Sequence, residues 1–194
     1  MQTKRSMNPG RLLLAVVAML IAAVLSNVCP GSALAATAKE IDTKATQALT
    51  KLYKTTPDAK ALAAKAKAVL IFPDMTKAGF MVAGQFGDGA LRKGGKTVGY
   101  YRSLAGSFGF QAGAQSFGYV LFFMDAESLK YLDQSDGWEV GTGPSLVVLD
   151  QGFAKNLSTT TLQKGVYAII FDQKGLMGGV GIQGTKITRI KPDK

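Results

Sequence analysis

The chain has 194 residues, enough for one ordinary domain, and its hydrophobic fraction of 47% supports a packed core. It contains no His, and Cys29 is its only Cys, which excludes His-assisted nucleophilic catalysis, a His/Cys metal site and an internal disulfide. Lys and Arg number 23 against 13 Asp and Glu, a formal net charge of +10. This excess indicates an acidic partner, such as anionic lipid, nucleic acid or a polyanionic glycan.

The first 35 residues have the three parts of a secretory signal peptide. Basic residues precede the apolar run Leu12–Leu25, and a small-residue cleavage motif ends at Ala35. The run is shorter than the roughly 20 residues that span a membrane. The residues before Cys29 fit a lipoprotein signal poorly. We therefore expect cleavage of 1–35, export to a bacterial periplasm or cell surface, and a single domain over 36–194.

Two helices are predicted at the start of that domain, within residues 38–66. Apolar residues recur at helical spacing from Thr37 to Lys54, and Thr55-Thr56-Pro57 ends the pattern. Asp58 is the predicted N-cap of a second helix over Ala59–Ala66. Several lysines lie along both predicted helices. A solvated basic face explains them most simply, and a helix lying on an anionic membrane is the alternative.

Residues 68–190 read as a β-rich region, because short apolar runs alternate with glycines. Lys93–Lys96 is predicted as a hairpin tip, and Asp125 as the cap of a short helix over Ala126–Leu132. Five further turns are expected, at Pro73-Asp74, Gly87–Gly89, Ser116–Gly118, Asp172–Gly175 and Gly184-Thr185. The predicted fold class is α+β, with a mainly antiparallel, strongly curved or barrel-like sheet, N-terminal helices and one short internal helix. The glycines chiefly let this sheet curl.

Two glycine motifs suggest nucleotide binding, but neither has the required context. Gly179–Gly184 matches G-x-G-x-x-G, yet a strand-like segment follows it where a helix should begin. Gly95-Lys96-Thr97 resembles the end of a phosphate-binding loop and fits a hairpin tip better. The carboxylates lie at expected turns and caps. We therefore predict no nucleotide, no cofactor, no metal and no catalytic residues, and export argues against nucleic acid.

Several segments, taken in order, resemble the SYLF domain, also called the Ysc84-type domain. They cover about residues 38–190: Ile71-Phe72-Pro73-Asp74, Lys77-Ala78-Gly79-Phe80, Gly106–Gln115, Asp125-Ala126-Glu127, Gly141–Pro144 and Lys174–Val180. Many members have Trp-Ser-x-Pro before the central element, where this chain has Tyr101-Arg102-Ser103-Leu104. The resemblance implies a lipid-binding module. Eukaryotic members bind phosphoinositides and some bind actin, whereas an exported bacterial protein would not normally meet actin.

The leading hypothesis is a non-catalytic lipid-binding protein of the bacterial cell envelope. Basic residues would attract anionic phospholipid, and apolar surface would be buried against acyl chains or a membrane. Two groups of basic residues are the candidate lipid-binding residues: Lys77, Arg92, Lys93, Lys96 and Arg102 in the first, and Lys174, Lys186 and Arg189 in the second.

The alternative is a structural or interaction protein of the envelope that binds a protein or glycan partner. An extended, exposed apolar patch without an internal cavity would favour this alternative, and a closed apolar cavity would favour lipid. A carboxylate-dependent hydrolase is a third hypothesis, and it needs two carboxylates that face one cleft.

Overall fold

A computed structural model describes residues 36–133, 138–139, 146–149 and 165–193. The predicted signal peptide over 1–35 lies outside the described residues.

Two helices open the domain, as predicted. Helix α1 spans Ala38–Thr55 and begins with a capping box in which Thr37 and Glu40 bond each other's backbone N–H groups. Helix α2 spans Pro57–Lys65. The prediction of Asp58 as its N-cap was wrong, because Pro57 takes the first helical position, where its fixed φ and missing N–H are tolerated. Asp58 lies instead in the first turn.

The rest of the domain is a mainly antiparallel sheet with one short helix. Strands β1 (Ala68–Lys93) and β2 (Lys96–Phe123) precede helix α3 (Ala126–Leu132), and β3 (Trp138–Glu139), β4 (Leu146–Leu149) and β5 (Val166–Ile190) follow it. The order across the sheet is β1-β2-β5-β3, and β4 pairs with β5 in parallel. The α+β fold class is confirmed. Among the described strands the sheet is curved and open, so it does not close into a barrel.

Three of the strands are much longer than the sequence suggested. Each of the five segments that were predicted as extra turns lies inside one continuous strand, so those turn predictions were wrong. Three of them, at Pro73-Asp74, Ser116–Gly118 and Asp172–Gly175, coincide with shifts of register between neighbouring strands. Local Gly, Pro and Asp signals therefore mark bulges here, and a bulge bends a strand without ending it.

Strand β1 bends back so that its two halves pack against each other. A Cβ on Gly89 would lie 2.4 Å from the carbonyl oxygen of Ile71, and one on Gly87 would lie 2.4 Å from Sδ of Met75. These residues are more than ten positions apart in one strand, so the strand has doubled over. Glycine at 87 and 89 allows the two backbones to approach closely.

The doubled ribbon has a core on each side of its first half. Helices α1 and α2 pack Ile41, Leu52 and Leu62 against one side. The other side holds Leu70, Phe72 and Phe123 with residues from the second half and from α3, among them Leu91, Tyr101, Leu132 and Ile187. Apolar residues at successive positions of β1 thus serve different layers.

The predicted hairpin tip and short helix are both confirmed. Lys93 pairs with Lys96 across Gly94 and Gly95, whose φ angles of 54° and 80° suit the two centre positions of a tight hairpin turn. The Asp125 carboxylate caps α3 by accepting from the backbone N–H of Ser128 at 2.7 Å. It also accepts from the N–H of Gly165 at 2.6 Å, which ties α3 to the start of β5.

Candidate functional site

The bend of the ribbon, which we call the crease, comprises residues 79–82 of β1 and 108–113 of β2. Met81 has a φ of 58°, and Gly109 and Gly113 have φ angles of 154° and 134°. Phe80 pairs with Ala112 and Val82 with Phe108, so β2 carries extra residues at this point. A Cβ on Gly113 would lie 2.1 Å from the carbonyl oxygen of Leu176 on β5. The sharp turn therefore depends on glycine.

Large apolar side chains are exposed at and beside the crease. We define the crease surface by seven residues and their exposed fractions: Phe80 75%, Met81 46%, Val82 62%, Phe86 58%, Leu104 52%, Phe108 68% and Leu176 88%. Single exposed apolar residues are ordinary, but several together mark an interaction surface. These side chains stand out from the sheet at one end of the doubled ribbon.

Beside the crease, over residues 82–86 and 103–108, the second half of the ribbon carries its apolar side chains outward and small or polar ones inward. Val82 lies opposite Phe108 and Phe86 opposite Leu104, and all four face outward. The inward positions between them are small or polar, and they are buried: Ala83, Gln85, Ser103, Ala105 and Ser107. A sheet with one wet face normally turns its apolar residues to the core. The outward face here is therefore the apolar one.

A row of glycines separates the two apolar pairs. Gly84 pairs with Gly106, which in turn pairs with Gly184 on β5. A Cβ on Gly84 or Gly106 would find no atom within 4 Å, so space for a larger residue is open there. The row leaves a shallow channel between the Val82–Phe108 pair and the Phe86–Leu104 pair.

An ion pair ends the apolar face on the side away from the crease. Arg102 lies opposite Asp88 and donates through Nε and Nη2 at 2.6 and 2.8 Å. The hydrogen bond that Arg102 donates to Asp88, with the Asp88 charge, raises the pKa of Arg102 against the opposing effect of burial. Arg102 was predicted to contact lipid, and the structure places it in this bidentate pair.

Three of the predicted basic residues flank the crease surface. Lys77 lies three positions before Phe80 on β1, and Lys174 lies two positions before Leu176 on β5. Their partners on β2 are the neighbouring residues Gln115 and Ser116. Lys186 is exposed and lies opposite Leu104. Lys174 reaches the Asp172 carboxylate only at 3.8 Å and stays largely exposed. These three lysines, drawn from both predicted groups, share one end of the ribbon.

Three others lie at the opposite end. Lys93 and Lys96 are exposed at the hairpin tip, eleven residues or more along the strand from Val82, or roughly 36 Å at about 3.3 Å per residue. Arg92 is half-buried, and its Nη2 donates to the carbonyl oxygen of Asp42 at 3.1 Å and to Oγ1 of Thr46 at 2.7 Å. It therefore fastens the hairpin to α1.

Arg189 belongs to neither end. Its Nη2 donates to the carbonyl oxygen of Val98 at 3.3 Å, and its guanidinium lies 6.0 Å from the centre of the Tyr101 ring. Nη1 is 3.6 Å from the Asp133 carboxylate, which also accepts a hydrogen bond from the Tyr101 hydroxyl. Burial, followed by this hydrogen bond and the Asp133 charge, raises the pKa of Tyr101 above its usual range. The group holds β2, β5 and α3 together.

Among the described residues, no cluster of acidic side chains could hold a metal ion, and no helix is long and apolar enough to cross a membrane. The described strands form a curved sheet with a large exposed apolar surface, a feature typical of interaction sites. Residues 104–192 match the Ysc84 family model, described as "Las17-binding protein actin regulator". Over this segment the chain is similar to the Ysc84-type (SYLF) family, as the resemblance implied, and that family is a binding-type family. A comparison with curated proteins finds no match.

Sequence reasoning missed the crease surface. The alternation of apolar residues at 82, 86, 104 and 108 with small or polar ones was present in the sequence. Alternation predicts that one face is apolar but not which face points outward. The buried Gln85, Ser103 and Ser107 are the signal for that choice, and they are recognised only once the strands are paired.

Proposed function

We propose that the protein is a non-catalytic lipid-binding protein whose crease surface enters the interfacial region of an anionic phospholipid membrane. One observation carries the proposal: over residues 82–86 and 103–108 the apolar side chains point outward while small and polar ones are buried. Water does not favour this arrangement, and an apolar surrounding does.

The shape of the crease surface suits shallow insertion. Phe80, Val82 and Phe108 project from the turn of a ribbon, and a projecting edge reaches into a bilayer more easily than a flat face. Interfacial proteins bury apolar side chains about 5–10 Å deep at the boundary between head groups and acyl chains. Lys77 lies three residues from Phe80, or about 10 Å along a strand, which suits contact with phosphate groups.

Basic residues around the crease surface supply the preference for anionic lipid. A Lys or Arg near such a membrane contributes about 1 kcal/mol, so Lys77, Lys174 and Lys186 together provide a useful attraction. Export supports phospholipid in the cell envelope as the target, since a signal peptide is predicted over residues 1–35. The proposed location is therefore the periplasm or the cell surface.

Vesicle co-sedimentation tests the proposal with the double variant Phe80→Ser, Phe108→Ser. Vesicles of phosphatidylcholine with a rising share of phosphatidylglycerol are used at low and high salt. Burial of one Phe side chain contributes about 1.5–3 kcal/mol, so even partial loss at two positions should weaken binding roughly tenfold or more. Wild-type binding should increase with the anionic share and decrease with salt.

Val98→Ser is the matched control, because Val98 is 42% exposed and lies near the hairpin tip, away from the crease. This variant should bind vesicles like the wild type. Equal binding by wild type and double variant would remove the crease surface from the mechanism. Binding that ignores both lipid charge and salt would remove the electrostatic part.

A protein partner in the envelope is the second candidate function. An exposed apolar patch was expected to favour this alternative over lipid in a closed cavity, and the crease surface is such a patch, which suits protein contacts as well as a membrane. The channel over Gly84 and Gly106 would accept a partner's side chains. If purified wild type shows no binding to any vesicle while its crease surface remains folded, this candidate replaces membrane binding.

A further inference from the structure

A second concave site lies far from the crease, between α1, α2 and the β1–β2 hairpin. Its volume is about 510 Å³, within the usual range of small-molecule sites, which is about 300–1,000 Å³. Helix α1 presents Thr46, Leu49, Thr50 and Tyr53 to it at helical spacing. Gly94 and Gly95 form its rim at the hairpin tip.

The walls of this pocket are mostly apolar. Residues from both helices and β1 supply them: Leu49, Tyr53, Ala63, Ala64, Ala66, Ala68 and Val69. The small alanines leave the space that larger residues would fill. Hydroxyl groups of Thr46 and Thr50 provide polar contacts along one side. An alkyl chain suits such walls better than a sugar or a nucleotide does.

The charged side chains that line the pocket are all positive. Arg92 and Lys67 line it, and its lining residues, all in the described part of the chain, include no carboxylate. The nearby Asp42 carboxylate lies outside the lining and accepts hydrogen bonds from Thr97 at 2.7 Å and Tyr100 at 2.9 Å. An anionic ligand would therefore meet two cations and no acid among the residues that line the pocket.

Arg92 retains an unused donor in this setting. Its Nη2 bonds to α1, but its Nε is buried and has no hydrogen-bond partner among the described residues. A buried guanidinium N–H without an acceptor is costly, so such an atom points to a missing oxygen. Burial raises the pKa of Tyr53 and the Arg92 charge opposes the rise, so the cation acts electrostatically on this pocket wall.

We propose that this pocket binds a single-chain anionic amphiphile, a fatty-acid-like carboxylate. The head group would accept from Arg92, and the alkyl chain would lie along the alanines of α2 and the apolar side of α1. Guanidinium and carboxylate match in shape and charge. This site lies within residues 46–95, outside the family-matched segment, and is independent of the crease surface.

Isothermal titration of the full chain with dodecanoate, below its micelle concentration, tests this inference. Dodecyltrimethylammonium tests the sign of the head group, and acetate tests whether the head group suffices alone. Dodecanoate should bind with amide NMR shifts at Gly94, Gly95 and Thr50. The cationic amphiphile should bind at least tenfold more weakly, and acetate should give no measurable heat.

Two pocket variants and one crease variant locate the binding. Arg92→Gln removes the cation, and Ala64→Phe fills the mouth at an exposed position where folding should be unaffected. Both should weaken dodecanoate binding at least tenfold, whereas Phe80→Ser, Phe108→Ser should bind like the wild type. The inference is overturned if wild type gives no heat, if both amphiphiles bind equally, or if Ala64→Phe binds normally. Because this assay uses no vesicles, its failure leaves membrane binding by the crease unaffected.

Discussion

The predicted basic residues differ in the hydrogen bonds that their side chains make within the protein. Arg92 and Arg102 were predicted lipid contacts, yet each donates two hydrogen bonds within the protein. Their guanidinium groups donate to carbonyl, hydroxyl and carboxylate oxygens of the protein itself. Lys174 and Lys186 are exposed beside the crease surface. The predicted basic residues therefore differ in how strongly the protein itself holds them, and their contact with lipid stays a prediction.

The carboxylate of Asp125 makes a testable contribution to stability. Burial alone would raise its pKa, but hydrogen bonds from Ser128 and Gly165 prevail and lower it below the ordinary value of 3.8. A lowered pKa means that this stabilisation is present at higher pH and is lost as pH falls through the folded-state pKa. Asp125→Ala should lower the unfolding free energy by about 1–2 kcal/mol at neutral pH.

Urea unfolding at several pH values measures the effect. The difference between wild type and Asp125→Ala should shrink progressively below about pH 4, where the wild-type carboxyl becomes protonated. Asp58→Ala is the control, since Asp58 lies in the first turn of α2 without acting as its cap. A difference that stays constant down to low pH would show that the charged form of Asp125 is not what stabilises the fold.

Local signals predicted this cap but not the ion pairs. Asp before a helical run is a strong N-cap signal and needs no tertiary information. The Asp88–Arg102 pair depends on register instead. A regular hairpin around Lys93 and Lys96 would place Asp88 opposite Tyr101, and a bulge near Arg92 shifts the pairing by one residue. That bulge has no clear signature in the sequence.

The long strands show where prediction of elements succeeds and where it ends. Helices and the hairpin tip follow from periodicity, proline and paired glycines, so their positions were predicted well. Pro73, Gly87 and Gly118 carry the same local signals as turns, but strands β1 and β2 continue through them and pair on both sides of each. Hydrogen bonding to neighbouring strands overrides the local preference, and only the tertiary structure reveals it.

The glycines at and beside the bend should contribute unequally to the free energy of unfolding. Gly113→Ala puts a Cβ 2.1 Å from the Leu176 carbonyl oxygen at a φ of 134°, so it should lower the unfolding free energy by at least about 2 kcal/mol. Gly84→Ala meets open space and should change it by less than about 1 kcal/mol. Thermal or urea unfolding distinguishes them. Similar losses at both positions would contradict the role assigned to the crease.

The described part of the domain has two dissimilar ends. Helices α1 and α2 and the β1–β2 hairpin line the pocket beside Arg92 at one end, and the crease surface with its flanking lysines forms the other. The sequence predicted the α+β class and the net positive charge, but it could not place the lysines relative to the bend, because doubling of the ribbon sets those positions. This polarity predicts that the protein approaches a membrane with the crease first.

An environment-sensitive fluorophore attached at position 82 or 96 tests that orientation most directly. Val82→Cys and Lys96→Cys are prepared in a Cys29→Ser background and mixed with anionic vesicles that carry acyl-chain quenchers. The fluorophore at 82 should shift to shorter wavelength and be quenched, while the one at 96 should stay in water. Quenching at 96 without quenching at 82 would contradict insertion through the crease.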